Sequence, residues 1–229
     1  MARSVGVAVA VLLSAVAVAR FVWLPHYRPG LQAGERYGID VSHHQGSINW
    51  TEVAGDGIAF AYIKSTEGRD FRDGEFRRNW DGAGRAGLAR GAYHFFTLCA
   101  PGAMQAEHFL GTVPAGELEL PPAIDLELAG NCSRRPDGAT VRRELLAFIE
   151  AVEQATGQRV VLYVGDDFED RYRLRRSLAR PLWYPRFLRR PPAEEWVIWQ
   201  VMGLAHVDGV EGDVDLDVIR LDLLGPQPG

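Results

Sequence analysis

From residue 37 onward, short runs of β-branched and aromatic residues alternate with longer segments whose apolar positions recur every three or four residues. Segments 37–42, 58–64, 91–96, 122–127, 159–164, 181–184, 196–201 and 214–219 follow the first pattern and read as eight strands. Segments 75–87, 101–112, 138–156 and 166–179 follow the second and read as helices. The clearest is 138–156, where Val141, Leu145, Phe148, Ile149 and Val152 share one face. Strands joined through helices pair in parallel, and eight of them suffice to close a barrel. Connections 185–195 and 202–213 are short and broken by Pro or Gly, which leaves little room for helices. The pattern predicts an α/β fold, a TIM-like barrel that is regular in its first half and reduced in its last three strands.

The N-terminal residues fit neither pattern. Arg3 precedes an apolar run from Val5 to Ala19, then come Arg20 and Phe21-Val22-Trp23-Leu24. This fits a secretory signal with Ala17-Val18-Ala19 as the cleavage site. Read through Leu24, it also reaches the ~20 residues of an uncleaved membrane anchor. Either reading exports the remainder of the chain, as a secreted, periplasmic or membrane-anchored protein. The expected organisation is signal or anchor over 1–24, a Pro- and Gly-containing linker over 25–36, a barrel domain over 37–222 and a tail over 223–229. Of the 229 residues, 47% are hydrophobic and 24% charged, so a folded domain is expected rather than disorder. The net charge of −5 argues against a nucleic-acid partner. Arg outnumbers Lys 24 to one, the exception being Lys64.

Acidic residues fall at or near the C-terminal ends of three predicted strands: Asp40 on the first, Asp125 and Glu127 on the fourth, Asp215 and Asp217 on the eighth. In such barrels the reacting groups sit at the C-terminal strand ends. Strands one and eight become neighbours on closure, so Asp40 and Asp215 should be close. Asp125 and Glu127, two residues apart, point to the same face, with Cα atoms ~6–7 Å apart. The interleaved Ile124, Leu126 and Leu128 should pack outward under helices, which leaves the acids facing the mouth. Carboxylates crowded into a cleft raise one another's pKa. A carboxylic acid still protonated near neutral pH is what glycosidic bond cleavage requires. A Ca²⁺ or Mg²⁺ site is the competing reading. It is weakened by the scarcity of convergent His and the lack of a twelve-residue calcium loop, so no metal and no cofactor are expected.

At these strands the sequence resembles the lysozymes of glycoside hydrolase family 25. The matching blocks are Gly38-Ile39-Asp40-Val41-Ser42, Gln45-Gly46 with Ile48-Asn49-Trp50, Ala61 through Gly68, Gly91 through Phe96, Ile124-Asp125-Leu126-Glu127, Leu182-Trp183-Tyr184, Trp199-Gln200 and Val214-Asp215-Leu216. The resemblance implies an irregular barrel of five β/α units followed by three further strands, and a peptidoglycan hydrolase acting on the β-1,4 bond between N-acetylmuramic acid and N-acetylglucosamine. It makes Glu127 the general acid and Asp125 the partner that orients the substrate N-acetyl group. Asp40 and Asp215 become the remaining active-site carboxylates. Four positions depart from the family pattern: Val201 where Tyr is frequent, Asp217 where Asn is usual, and Pro185 and Phe187 in place of Ala and Tyr.

Tyr62, Tyr93, Trp183, Trp199 and Gln200 are candidates to line a sugar-binding groove, the aromatic rings offering a flat apolar face with a polar tip. Core packing is the competing reading for each aromatic. Lys64, retained among so many arginines, is expected to pair with a site carboxylate. His94 reads as a hydrogen-bonded core residue. The Arg-rich stretch 171–190 reads as a solvated face that could touch anionic wall polymers. Cys99 and Cys132 each lie five residues beyond strand-end positions of adjacent strands, so an exported protein should form a disulfide there. Two buried free thiols would instead fit a cytoplasmic one. The expected partner is the peptidoglycan glycan strand, bound by a monomer, with attachment to a membrane through residues 5–24 as an option. Two rival functions stay open on sequence alone, a chitinase-like hydrolase and a wall-binding protein without catalysis.

Overall fold

The computed structural model describes Ser14 and residues 16–223. The signal-or-anchor segment expected over 1–24 therefore lies largely outside the described residues, as does the tail beyond Leu223. Among the described residues no helix is long and apolar enough to cross a membrane.

Nine strands form one sheet: β1 (Glu35–Val41), β2 (Ile58–Glu67), β3 (Phe71–Arg72), β4 (Ala89–Phe95), β5 (Ala123–Leu126), β6 (Val161–Val164), β7 (Leu182–Pro185), β8 (Ile198–Ala205) and β9 (Val214–Arg220). The sheet runs β1-β9-β8-β7-β6-β5-β4-β2-β3, and a β1–β2 pairing closes the eight longer strands into a barrel. β3 is a two-residue addition that pairs antiparallel with the end of β2. Five α-helices lie between the early strands: α1 (Trp50–Gly55), α2 (Phe76–Arg85), α3 (Gly102–Leu110), α4 (Gly138–Thr156) and α5 (Asp166–Tyr172). Among the described residues no α-helix follows β7 or β8.

The expected helices 75–87, 101–112 and 138–156 correspond to α2, α3 and α4, whereas α1 is absent from the sequence reading. The helix expected over 166–179 stops at Tyr172, because Arg173 takes a left-handed conformation (φ 55°) that caps it. The larger correction concerns the last strand. β9 runs antiparallel to both β8 and β1, so the barrel is not wholly parallel. The connection 206–213 is too short for a crossover and returns the chain as a hairpin. Asp215 and Asp217 thus lie in the N-terminal half of β9, which reaches the same mouth from the opposite direction.

Alternation along the strands sorts the core into two layers. Phe60, Tyr62, Ala123, Val161, Trp183, Ile198 and Ile219 fill the barrel interior. Ile124, Leu126, Val164, Leu216 and Val218 face outward with the buried stripe Val141, Leu145, Phe148, Ile149 and Val152 of α4. Each such side chain contributes about 1.5–3 kcal/mol of burial. The segment read as a linker lies against the barrel. His206 N donates to Pro25 O at 2.7 Å, Arg28 reaches His206 O at 2.7 Å, and β1 begins within it at Glu35.

Candidate active site

Asp40 on β1 stands opposite Asp215 on β9, and Asp125 leaves β5 toward the same mouth, with Glu127 directly after the strand. Together with Ser42, His44, Gln45, Tyr93, Tyr163, Trp183 and Gln200 these acids line a cavity of about 340 Å³. Two backbone features hold Glu127 in place. Asn131 Nδ2 donates to Glu127 O at 2.9 Å and Phe96 O at 2.8 Å, while its Oδ1 accepts from Leu98 N and Cys132 N. The loops after β4 and β5 are thereby tied together, and a Cys99–Cys132 disulfide joins them again. Gly165 leaves space beside the acid: a Cβ there would sit 3.4 Å from Glu127 Cγ and 3.1 Å from Asp167 Oδ1. Gly203 does the same for Asp215, whose Oδ1 would lie 2.7 Å from an added Cβ.

The electrostatics favour retained protons. Glu127 is raised above its ordinary value by burial and by the neighbouring Asp167 charge, opposed by the nearby Tyr163 hydroxyl and by Lys64. Asp125 is raised by burial, then by Glu127 and Asp40. Burial together with Asp40 and Glu127 pushes Asp215 up to about 8. Four carboxyls facing one small cavity cannot all ionise at neutral pH. Asp125 lines the cavity, and its Oδ1 is buried without a hydrogen-bond partner among the described residues. Among the described residues no cluster of His, Cys, Asp and Glu could hold a metal ion.

The structure divides the other candidates. Tyr93, Trp183 and Gln200 line the cavity, and Trp183 is bracketed by Tyr62, Tyr93 and Tyr163 at centroid distances of 4.9, 6.4 and 5.5 Å. Tyr62 itself is wholly buried below the mouth, its hydroxyl donating to Pro121 O at 3.0 Å. Trp199 faces out of the barrel, because its neighbours Ile198 and Gln200 take the inward positions of β8, and its Nε1 donates to Arg186 O at 2.7 Å. Lys64 pairs with Glu67 at 2.8 Å rather than with a carboxylate of the cleft. An irregularity in β2 between Lys64 and Thr66 brings residues three apart onto one side. His94 is the expected core histidine, held between Thr66 Oγ1 at 2.8 Å and Gln105 Oε1 at 3.0 Å, with burial lowering it to about 3.

Tyr163 is the wall residue that the sequence reading passed over. Its hydroxyl donates to Gln200 Oε1 at 3.0 Å, and it lines the cavity beside Glu127. The signal was available, since Val161 and Tyr163 alternate with outward-facing residues toward the end of a predicted strand. Asn131, Gly165 and Gly203 carried no such signal.

The fold coincides with a known one. Residues 39–210 match the model of glycosyl hydrolases family 25. The chain is 32% identical over 222 residues to the uncharacterised protein YegX of Escherichia coli K12, covering 90% of this chain and 80% of that protein. It is 33% identical over 198 residues to Lysozyme M1 of Streptomyces globisporus, covering 78% of this chain and 65% of the relative. The structure of a family 25 glycosyl hydrolase from Bacillus anthracis superposes with a TM-score of 0.76 at 33% identity, over 85% of this chain and 93% of the other. A matched segment that spans most of the chain and contains Asp40, Asp125 and Glu127 of the barrel mouth leads to one assignment: this chain belongs to glycoside hydrolase family 25.

Proposed function

We propose that the chain is an exported muramidase that hydrolyses the β-1,4 bond between N-acetylmuramic acid and N-acetylglucosamine in peptidoglycan. The carrying observation is the half-buried Asp125–Glu127 pair at the barrel mouth, two acids raised above their ordinary values that line one cavity with Asp40 and Asp215. Glu127 gives its proton to the glycosidic oxygen as the bond to C1 breaks. The substrate's own N-acetyl oxygen closes onto C1, while the Asp125 carboxyl group accepts the N–H of that group. The negative charge of the cluster offsets the positive charge that develops on the ring. Glu127, now a carboxylate, then takes a proton from the water that opens the cyclic intermediate, giving net retention. Tyr93, Trp183 and Gln200 bind the sugar in this reading. The family membership and the similarity to Lysozyme M1 support the wall substrate. The apolar run over 5–19 and the Cys99–Cys132 bridge support export.

The deciding experiment is mass spectrometry of peptidoglycan digested with the purified protein. Fragments with reducing-end muramic acid are expected. Reducing-end glucosamine would make it a glucosaminidase, anhydro ends a lytic transglycosylase, and sedimentation with wall sacs without new ends a binding protein.

A further inference from the structure

Asp217 lies one step deeper in the barrel than Asp215 and has no exposed surface. In register it stands opposite Gly38 of β1 and Gln200 of β8. Because Gly38 has no side chain, Asp217 meets the next inward residue of β1, Asp40, on the diagonal. The two carboxyl groups are thereby neighbours on the inner face of the β1–β9 pair. Each is also held by a neutral donor: Trp183 Nε1 gives to Asp217 Oδ1 at 2.9 Å, and Gln200 Nε2 to Asp40 Oδ2 at 2.9 Å. The remaining oxygen, Asp217 Oδ2, is buried without a donor among the described residues. Two ionised carboxylates offer only acceptors, so the pair is satisfied only when one of them carries a proton.

We infer that Asp217 is a positioning residue of the cleft, and that it and Asp40 hold one proton between them which fixes the Asp40 carboxyl group at the barrel mouth. The inference rests on the muramidase reading. Burial raises both groups, and so does charge: Asp217 acts on Asp40, and Asp215 on Asp217. The ionisable groups facing the pair are Asp215 from its own strand, Tyr62 from β2, Tyr93 from β4, Asp125 from β5, Glu127 from beyond β5 and Tyr163 from β6. None of these is a cation that would stabilise a doubly charged pair. The pair therefore titrates as a unit. The clamp reaches further. Gln200 accepts from Tyr163, which lines the cavity beside Glu127, so the clamp extends to the wall next to the acid. Trp183, a wall of the cavity, is oriented by the same carboxyl.

The test compares the parent with Asp217→Asn and Asp217→Leu. Asn keeps a donor for Asp40 and an acceptor for Trp183 but cannot ionise. Leu has neither. Infrared difference spectra at neutral pH should show that Asp217→Asn loses a protonated-carboxyl C=O band present in the parent. In the pH profile of kcat on peptidoglycan, the parent should fall with two ionisations on the alkaline side and Asp217→Asn with one. Asp217→Leu should lower kcat on the order of 10- to 100-fold, the equivalent of one buried hydrogen bond to a charged group, with KM changed less. An unchanged carboxyl band, or an Asp217→Asn profile that superposes on the parent, overturns the proposal. A parent that releases no muramic acid ends refutes the muramidase reading instead, and the infrared result still decides the shared proton.

Discussion

Asp40 and Asp215 occupy opposed positions on the antiparallel β1–β9 pair, so both side chains leave the sheet on the same face and enter one cavity. Between its ordinary 3.8 and about 8, Asp215 holds a proton in the folded protein that the unfolded chain has released. Stability therefore falls as pH rises through that window, because the folded state binds the extra proton. Asp215→Asn removes this contribution. The melting temperature of the variant relative to the parent should increase from pH 4 to pH 8 by at least about 2–4 °C, the shift that 1 kcal/mol gives in a domain of this size. A difference that stays flat with pH would refute the assignment.

Glu127→Gln removes the proton donor while preserving shape and hydrogen-bonding capacity. Turnover on purified peptidoglycan should drop by about 10²–10⁴-fold, with wall binding and melting temperature close to the parent. Parental turnover in this variant would remove Glu127 from the mechanism.

Asp167 is exposed at the start of α5, and after burial its charge is the largest influence raising Glu127. Asp167→Asn lowers the Glu127 pKa, so the alkaline limb of the activity profile moves to lower pH. Added salt should shrink the difference, since screening weakens an exposed charge. A limb that stays in place or moves upward counts against this coupling.

Gly203→Ala would place a Cβ at 2.7 Å from Asp215 Oδ1 and force the carboxylate aside. The expected result is a fall in kcat with a cooperative melt retained. Equal activity would mean that the position of Asp215 is not critical.

The Cys99–Cys132 bridge closes a loop with a sequence separation of 33. The chain-entropy estimate for such a loop is ~3–4 kcal/mol. The Cys99→Ser, Cys132→Ser double variant should melt roughly 6–16 °C lower. It should also lose turnover, because the bridge and Asn131 together hold the loop behind Glu127. Melting at the parental temperature would show that Asn131 alone suffices.

Much of the site was legible because strand periodicity is local. Two-residue alternation placed Asp125 and Glu127 on the face opposite Ile124 and Leu126, and the structure keeps them there. The same rule, applied without strand direction, put Asp215 and Asp217 at the wrong end of their strand. Composition alone pointed the lone Lys64 at the cleft, whereas an irregularity of β2 delivers it to Glu67.

What the sequence by itself determined is the eight strands of the barrel, the three helices with the clearest periodicity, the inward or outward face of the strand residues, and the acids that could meet. All of these arise from the period of the backbone, which each segment carries alone. Tertiary structure decided the reversed direction of β9, the exclusion of Trp199 and Tyr62 from the cavity, and the Asp40–Asp217 pairing. These depend on which strands become neighbours and in what register, and that is set by closure of the whole barrel.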